Sequence, residues 1–370
     1  MRRSFPAALA ALLLALPPLL PASAQSSTDS GTSRDRARAE RDRDRERERT
    51  VREAERTQRA VERSVERMKV EIDDDDDDDE GRVRAGVQGL TTIDTTVAFN
   101  RGGVVDLSLI SGEIRVVGWS RSEVKVRARS ESGRLRFEAS PSRVALDVEH
   151  RGGRGNHDDL DATYELSVPA GTRVLMRGVS GDLSARGVKG EVEARSVSGE
   201  VEVEDAGRVT LESVSGDVRA ARVNGDARAH SVSGEVSVTD VAGDLDAESV
   251  SGDITLRDAK ARVVRAETVS GDVTYDGTVD PAGRYDFNSH SGTLRLVLPS
   301  NTNATLSVQT FSGEIDSAFP LTVRPATGEE RGRRRDRRME FTLGSGGPRI
   351  TAESFSGEIV IERAGSNGKR

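Results

Sequence analysis

The sequence predicts an all-β chain: a single-stranded β-helix (β-solenoid) with about two nine-residue strands per coil, preceded by a charged helical or disordered N-terminal segment. Three observations carry this. A phrase Ser-Gly-acid-aliphatic recurs at near-fixed spacing. The residues between its copies alternate apolar and polar with period two. Glycine reaches 37 of 370 residues while aromatics are only 3%. With 34% hydrophobic and 32% charged residues, a large aromatic core is excluded and a thin structure of small side chains is favoured. Zero cysteines exclude disulfide scaffolds, thiol nucleophiles, CxxC zinc sites and lipidated-cysteine anchors. A net charge of −8 argues against nucleic acid as a partner.

Residues 1–24 read as a signal peptide: Arg2 and Arg3, an apolar run from Ala7 to Leu20, then the small-x-small site Ala22-Ser23-Ala24 before Gln25. Pro17 and Pro18 interrupt the run, which is shorter than the ~20 residues of a spanning helix, so the expectation is cleavage rather than a retained anchor. Arg2-Arg3-Ser4-Phe5 also resembles the twin-arginine export pattern, which leaves the export route open. The later chain has no apolar run of spanning length, so the exported protein is expected not to be transmembrane and to reside in the periplasm, on the cell surface or outside the cell.

Residues 25–82 form a charged low-complexity stalk. Arg34 to Arg49 alternate Arg with Asp and Glu and can bury nothing. Val51, Ala54, Gln58, Val61, Val65, Met68 and Ile72 then fall at spacings of three and four, a short coiled-coil seam through which residues 51–72 would support weak homo-oligomerisation. The aspartate run Asp73 to Asp79 ends that helix, because like charges repel and sit at its negative dipole end. It lacks the alternating ligands and turning glycines of a calcium loop and reads as a linker.

Residues 83–363 form the repeat array, with a tail at 364–370. The phrase stands at Ser111-Gly112-Glu113-Ile114, Ser180-Gly181-Asp182-Leu183, Ser198-Gly199-Glu200-Val201, Ser215-Gly216-Asp217-Val218 and Ser233-Gly234-Glu235-Val236. It continues at Ser251-Gly252-Asp253-Ile254, Ser270-Gly271-Asp272-Val273, Ser312-Gly313-Glu314-Ile315 and Ser356-Gly357-Glu358-Ile359, with the acid-free variant Ser291-Gly292-Thr293-Leu294. In the coil from Asp217 to Gly234, alternation points Val218, Ala220, Val223, Ala227, Ala229 and Ser231 inward and Arg219, Arg228 and His230 outward. Each strand should pair with its counterpart one turn away. Glycine at the corners would permit unusual backbone conformations or close approach.

Two serine rows run along the stack. Ser196, Ser213, Ser231 and Ser249 align with Thr268, and Ser198, Ser215, Ser233 and Ser251 with Ser270, so hydroxyls can hydrogen-bond up the stack. No serine is set apart as a nucleophile. The acids Asp182, Glu200, Asp217, Glu235, Asp253 and Asp272 form a column whose first reading is turn chemistry and whose alternative is a Ca²⁺-binding edge. The expectation is no cofactor, with Ca²⁺ as that alternative; the Gly-Gly-x-Gly-x-Asp calcium repeat does not occur in these coils.

An arginine-rich loop, 324–340, breaks the period. Arg331, Arg333, Arg334, Arg335, Arg337 and Arg338 make it the strongly basic patch of the chain, a solvated loop or an anion site for an envelope polyanion, an acidic glycan or the aspartate run. An enzyme is not expected. The histidines His150, His157, His230 and His290 are scattered, Trp119 is the one tryptophan, and equivalent coils place their acids in equivalent environments.

The tandem coils resemble the bacterial β-strand-repeat adhesin-like domain family of unknown function. The likeness rests on the coils themselves, on Val105-Asp106-Leu107-Ser108 leading to Gly118-Trp119, and on Tyr164-Glu165-Leu166-Ser167-Val168-Pro169. Leu296-Val297-Leu298-Pro299 and Ile350 to Gly357 add to it, and it spans about Val83 to Arg363. The resemblance implies an exported single-stranded β-helix at the envelope or surface and carries no catalytic residues. The functional expectation is an exported, non-catalytic, adhesin-like β-solenoid that binds or scaffolds at the envelope or cell surface, its partner a polyanion, glycan or protein. The alternative is an envelope stress-response component binding a partner protein or membrane-active peptide. A polysaccharide-active enzyme is a minor alternative.

Overall fold

In the computed structural model the described residues are 85–131, 133–149, 161–320, 322–323 and 339–365. The chain divides into the units Met1–Arg49 and Thr50–Arg370, and every described residue belongs to the second. The signal peptide, the heptad segment, the aspartate run, the six clustered arginines, His150 and His157 lie outside the described residues.

All regular structure among the described residues is β. The chain begins with β1 (Ala85–Leu90), β2 (Thr92–Ala98), β3 (Val104–Trp119), β4 (Glu123–Ser130), β5 (Arg134–Ala139), β6 (Arg143–Glu149), β7 (Asp161–Pro169) and β8 (Arg173–Arg186). Six coils of two strands follow: β9 (Glu191–Ser196) with β10 (Val201–Glu204), β11 (Arg208–Ser213) with β12 (Val218–Val223), and β13 (Ala227–Ser231) with β14 (Val236–Val241). The next are β15 (Leu245–Ser251) with β16 (Ile254–Ala259), β17 (Val263–Ser270) with β18 (Val273–Gly277), and β19 (Arg284–Ser291) with β20 (Leu294–Leu298). The C-terminal part holds β21 (Ala304–Ser312), β22 (Ile315–Ser317), β23 (Thr322–Val323), β24 (Met339–Leu343), β25 (Arg349–Ser356) and β26 (Ile359–Arg363).

From β8 to β20 the stacking follows the expected rule. Odd strands β9 to β19 pair in parallel with their counterparts one coil away, and even strands β10 to β20 do the same. The two ends depart from chain order. At the N-terminal end β3 lies between β8 on one side and β6 and β7 on the other, and antiparallel strands β5, β1, β4 and β2 continue outward. At the C-terminal end the last coil, β25–β26, lies between β19–β20 and β21–β22. The phrase Ser356-Gly357 matches its neighbours in both directions, so the glycine column runs from Gly292 through Gly357 to Gly313 without a break.

The interior confirms the period-two reading. Val218, Ala220, Val223, Ala227, Ala229 and Ser231 are all buried. The step from Ala220 to Val223 breaks strict alternation, and the backbone supplies the reason: Arg222 has φ 53°, in the left-handed region. One left-handed residue turns the strand at the corner and returns the next side chain to the core. The equivalent positions in other coils behave alike, with Gly187 at 74°, Asp205 at 58°, Asp240 at 53° and Asp258 at 52°, each followed by a buried Val or Ala. Aspartate tolerates this region better than most residues, whereas Arg222 is held there by ion pairs to Glu204 and to Asp205 at 3.0 Å. Asp258→Val, placing a β-branched residue in that conformation, is expected to cost about 1–2 kcal/mol, and Asp258→Gly to be neutral or stabilising, read from urea midpoints.

Core width varies along the stack. Between Leu183 and Ala266 the inward positions hold mainly Val, Ala, Leu and Ser. Further on Tyr275, Tyr285 and Phe287 enter the core with ring centroids 5.1 and 6.0 Å from Tyr275. Their hydroxyls are matched: Tyr275 donates to Thr278 O at 2.7 Å and Tyr285 to Ala261 O at 3.0 Å. Burial pushes both phenols above their ordinary range. Near the other end the carboxylate of Asp106, almost buried, accepts from Arg143 at 2.9 Å and Arg177 at 3.2 Å, clamping β6 and β8 onto β3 between them.

Candidate functional site

The Ser-Gly corner is where the repeated chemistry-bearing residues converge, and it resolves into adjacent columns. Its innermost column is the buried serine row. Ser196, Ser213, Ser231, Ser249, Thr268 and Ser289 each donate to a glycine carbonyl of the preceding coil, at 3.1–3.5 Å. Hydroxyl therefore meets main chain rather than hydroxyl. The second serine row, Ser198, Ser215, Ser233, Ser251 and Ser270, is solvent-exposed.

Glycines form the pivot of the corner through close approach. A Cβ on Gly199, Gly216, Gly234, Gly252 or Gly271 would stand 2.0–2.2 Å from the carbonyl oxygen of the glycine one coil before. The chain can therefore turn over itself at the coil spacing only where no side chain exists.

The acid column lies on the far side of the glycines, with Asp217 half-buried and Asp182, Glu200, Glu235, Asp253 and Asp272 exposed. Its aspartates share one contact. Asp182 Oδ1 accepts from Glu200 N at 2.9 Å, Asp217 from Glu235 N at 3.0 Å, Asp253 from Asp272 N at 2.8 Å and Asp272 from Thr293 N at 2.7 Å. Each carboxylate thus ties its turn to the amide of the next coil. The glutamates, one methylene longer, do not share this bond; Glu200 instead pairs with Arg219, which also donates to Asp217 at 2.9 Å. Among the described residues no group of three His, Asp or Glu side chains is arranged to hold a metal ion.

A further column, apolar, was not among the sequence expectations. The residue before each Ser-Gly is apolar in nearly every coil: Ile110, Val179, Val197, Val214, Val232, Val250 and Val269, then His290, Phe355 and Phe311. Strand register aligns them in that order, and each is half-buried, so a partly exposed apolar stripe runs beside the serines and acids. Ten layers at about 4.8 Å give it a length of roughly 45 Å. The signal was present as a recurring Val-Ser-Gly, but a valine beside a turn looks like ordinary strand sequence. At the C-terminal end the stripe becomes a ring stack, with Phe355 4.9 Å from Phe311 and 4.8 Å from His290.

His290 is the titratable member of this stripe. Burial lowers its pKa, and its Nδ1 has no partner in the described structure. A histidine whose folded pKa is depressed withdraws stability as pH falls below the ordinary value of 6.5 toward the depressed one. His290→Phe, which would extend the ring stack, is expected to abolish that loss. Thermal midpoints compared at pH 7.5 and 5 would show the variant's advantage growing on acidification.

The other described histidine sits on the outward face of the odd-numbered sheet. His230 Nδ1 is 3.6 Å from Glu248, whose carboxyl is raised chiefly by burial and lowered in part by the histidine. The two lie in a ladder in which Glu212, His230, Glu248 and Glu267 are in register. Trp119 donates to Glu123 O at 2.8 Å with the Arg121 guanidinium 5.0 Å over its ring, so it serves a strand connection. Among the described residues no helix is long and apolar enough to cross a membrane.

No curated protein matches the chain. Among solved structures, a cell-adhesion candidate from Clostridium sporogenes ATCC 15579 is similar over 74% of this chain and 99% of its own, at 9% identity and a TM-score of 0.23. The Toastrack DUF4097 family model matches residues 161–362, more than half of the chain and all of the regular coils from β8 to β20. The strands between Ala85 and Glu149, which the resemblance included, lie before that match. With its repeated coils matched over this span, the chain belongs to the Toastrack DUF4097 family.

Proposed function

We propose that this chain is an exported, non-catalytic, adhesin-like β-solenoid that binds an extended partner at the cell envelope or surface. The observation that carries the reading is the Ser-Gly corner, where an apolar and a hydroxyl column run in parallel for roughly 45 Å, with the carboxylate column from Asp182 to Asp272 beside them over about 24 Å of that length. Such a surface repeats the same contact at each layer and suits a long ligand lying along the stack, whereas a catalyst needs one group set apart from its equivalents. Glu248, the carboxyl raised by burial, is outward on a sheet face and part of an ion-pair ladder.

The juxtaposition of apolar and carboxylate columns also favours the second reading, an envelope stress-response component whose partner is an amphipathic, cationic protein segment or membrane-active peptide. The arginines Arg331 to Arg338 keep their proposed role as an anion site for an envelope polyanion, acidic glycan or the aspartate run.

Retention of envelope components on the immobilised chain from Gln25 tests the corner. Val214, Val232 and Val250 changed together to Thr, which preserves shape, should reduce retention severalfold. Glu235→Gln with Asp253→Asn should remove the salt-dependent part while keeping the amide contact. Retention unaltered by both sets would overturn the proposal.

A further inference from the structure

Among the described residues, the N-terminal end of the stack presents an edge strand, β2, paired on one side alone. β2 pairs with β4 alone among the described strands, in an unbroken antiparallel register from Thr92↔Arg129 to Ala98↔Glu123. Two flanking bonds fix which of its main-chain groups face inward: Ser130 N donates to Thr91 O at 2.8 Å and Phe99 N to Ser122 O at 3.1 Å. Antiparallel ladders alternate hydrogen-bonded and non-bonded pairs, so Thr91, Ile93, Thr95, Val97 and Phe99 turn their N–H and C=O toward β4. Thr92, Asp94, Thr96 and Ala98 then turn theirs away from the stack. These outward groups lie on a seven-residue strand without proline, lysine or a register break, the devices that ordinarily blunt an edge. The opposite end differs: its outermost strands, β22 and β23, are three and two residues long.

We infer that β2 is the interface of a homodimer in which two copies pair edge to edge about a two-fold axis through Thr95. The strand is self-complementary in that arrangement. Antiparallel pairing centred on Thr95 sets Asp94 against Thr96 of the second copy and Thr92 against Ala98, the residues whose main-chain groups point outward, so the hydrogen-bonding phase fits. The core-facing set matches as well: Ile93 meets Val97, and Thr95 meets itself. Val97, only half-buried in the single chain, gains cover. Charge is compatible too, because the strand's one charged side chain, Asp94, faces a hydroxyl rather than its own copy and stays paired to Arg127 at 3.5 Å on its own β4.

Position 96 separates this interface from the fold. Within one chain Thr96 opposes Lys125 on β4, while across the axis it opposes Asp94. Thr96→Asp should therefore support the monomer's fold through Lys125 yet weaken the dimer about tenfold, because two like-charge pairs arise per dimer. Thr96→Lys should do the reverse on both counts. Thr96→Pro removes an outward donor without touching the β4 ladder and should abolish association with the strand circular dichroism retained.

Sedimentation equilibrium of the chain from Gln25 reads all three. A wild-type chain monomeric at about 100 μM overturns the inference. So does a dimer whose affinity is unchanged in Thr96→Asp and Thr96→Lys. A dimer that survives Thr96→Pro but is lost in Val65→Asp belongs to the heptad segment and likewise overturns it.

Discussion

Gly234→Ala is expected to destabilise the solenoid by about 3 kcal/mol, although it adds one methyl group at a solvent-accessible corner. The added Cβ would stand 2.2 Å from Gly216 O and 3.0 Å from Ser231 Oγ. Neither neighbour can retreat cheaply. Gly216 O is held by the Ser231 hydroxyl at 3.1 Å, and Gly216 itself leaves only 2.0 Å between its own Cβ position and Gly199 O. Relieving the clash means parting two coils, which stretches the parallel ladders on both sheets at once. Gly102→Ala provides the contrast: φ is +83° there and nothing lies within 4 Å, so only the conformational cost of about 1 kcal/mol should appear. Ser233→Ala, at an exposed hydroxyl beside the same corner, should be silent. Urea midpoints of the three variants test the account, and a Gly234→Ala cost no larger than that of Gly102→Ala would refute close approach as the reason for the glycine column.

Inward and outward positions were legible because period two admits only two phases and the Ser-Gly phrase fixes which is which, as Val218, Ala220 and Ser231 illustrate. The corner before Val223 was legible in outcome but not in mechanism. Left-handed backbone at Asp205, Arg222, Asp240 and Asp258 has no glycine to announce it, and ion pairs rather than a small side chain support Arg222 there. Among the candidate site residues, the serine rows and acid column fall in register as read. Their hydrogen-bond partners did not follow from the sequence, since acceptors such as Gly216 O and donors such as Glu235 N belong to the main chain of adjacent coils. Least legible was coil order at the ends. Ser356-Gly357 carries the same phrase as Ser312-Gly313, and a phrase that fits every neighbour cannot name the two it has.

Ending the chain at Gly344 removes β25 and β26, the final strands in sequence but interior strands of the stack. In a solenoid laid down in chain order such a truncation would trim one terminal coil and leave the rest intact, because each coil contacts only its neighbours. Here it deletes the layer between β19–β20 and β21–β22. Ile350, Ile359 and Ile361, each no more than 1% exposed, leave the core, a loss of about 6 kcal/mol at roughly 2 kcal/mol per side chain. The aromatic stack loses its middle ring, Phe355. Strands β21 and β22 would be left without a parallel partner, β21 keeping only antiparallel β24. Hydrogen exchange should therefore show protection abolished across Ala304–Ser317 and weakened in Arg284–Leu298, with β11 to β14 unaffected. It also follows that β21 and β22 cannot reach their native positions until the C-terminal coil has been synthesised and docked, so this end of the stack closes last during folding. Retained protection of Ala304–Ser312 in the truncated chain would mean that β21 can dock directly on β19, and the inserted coil would then be an addition to the fold rather than its keystone.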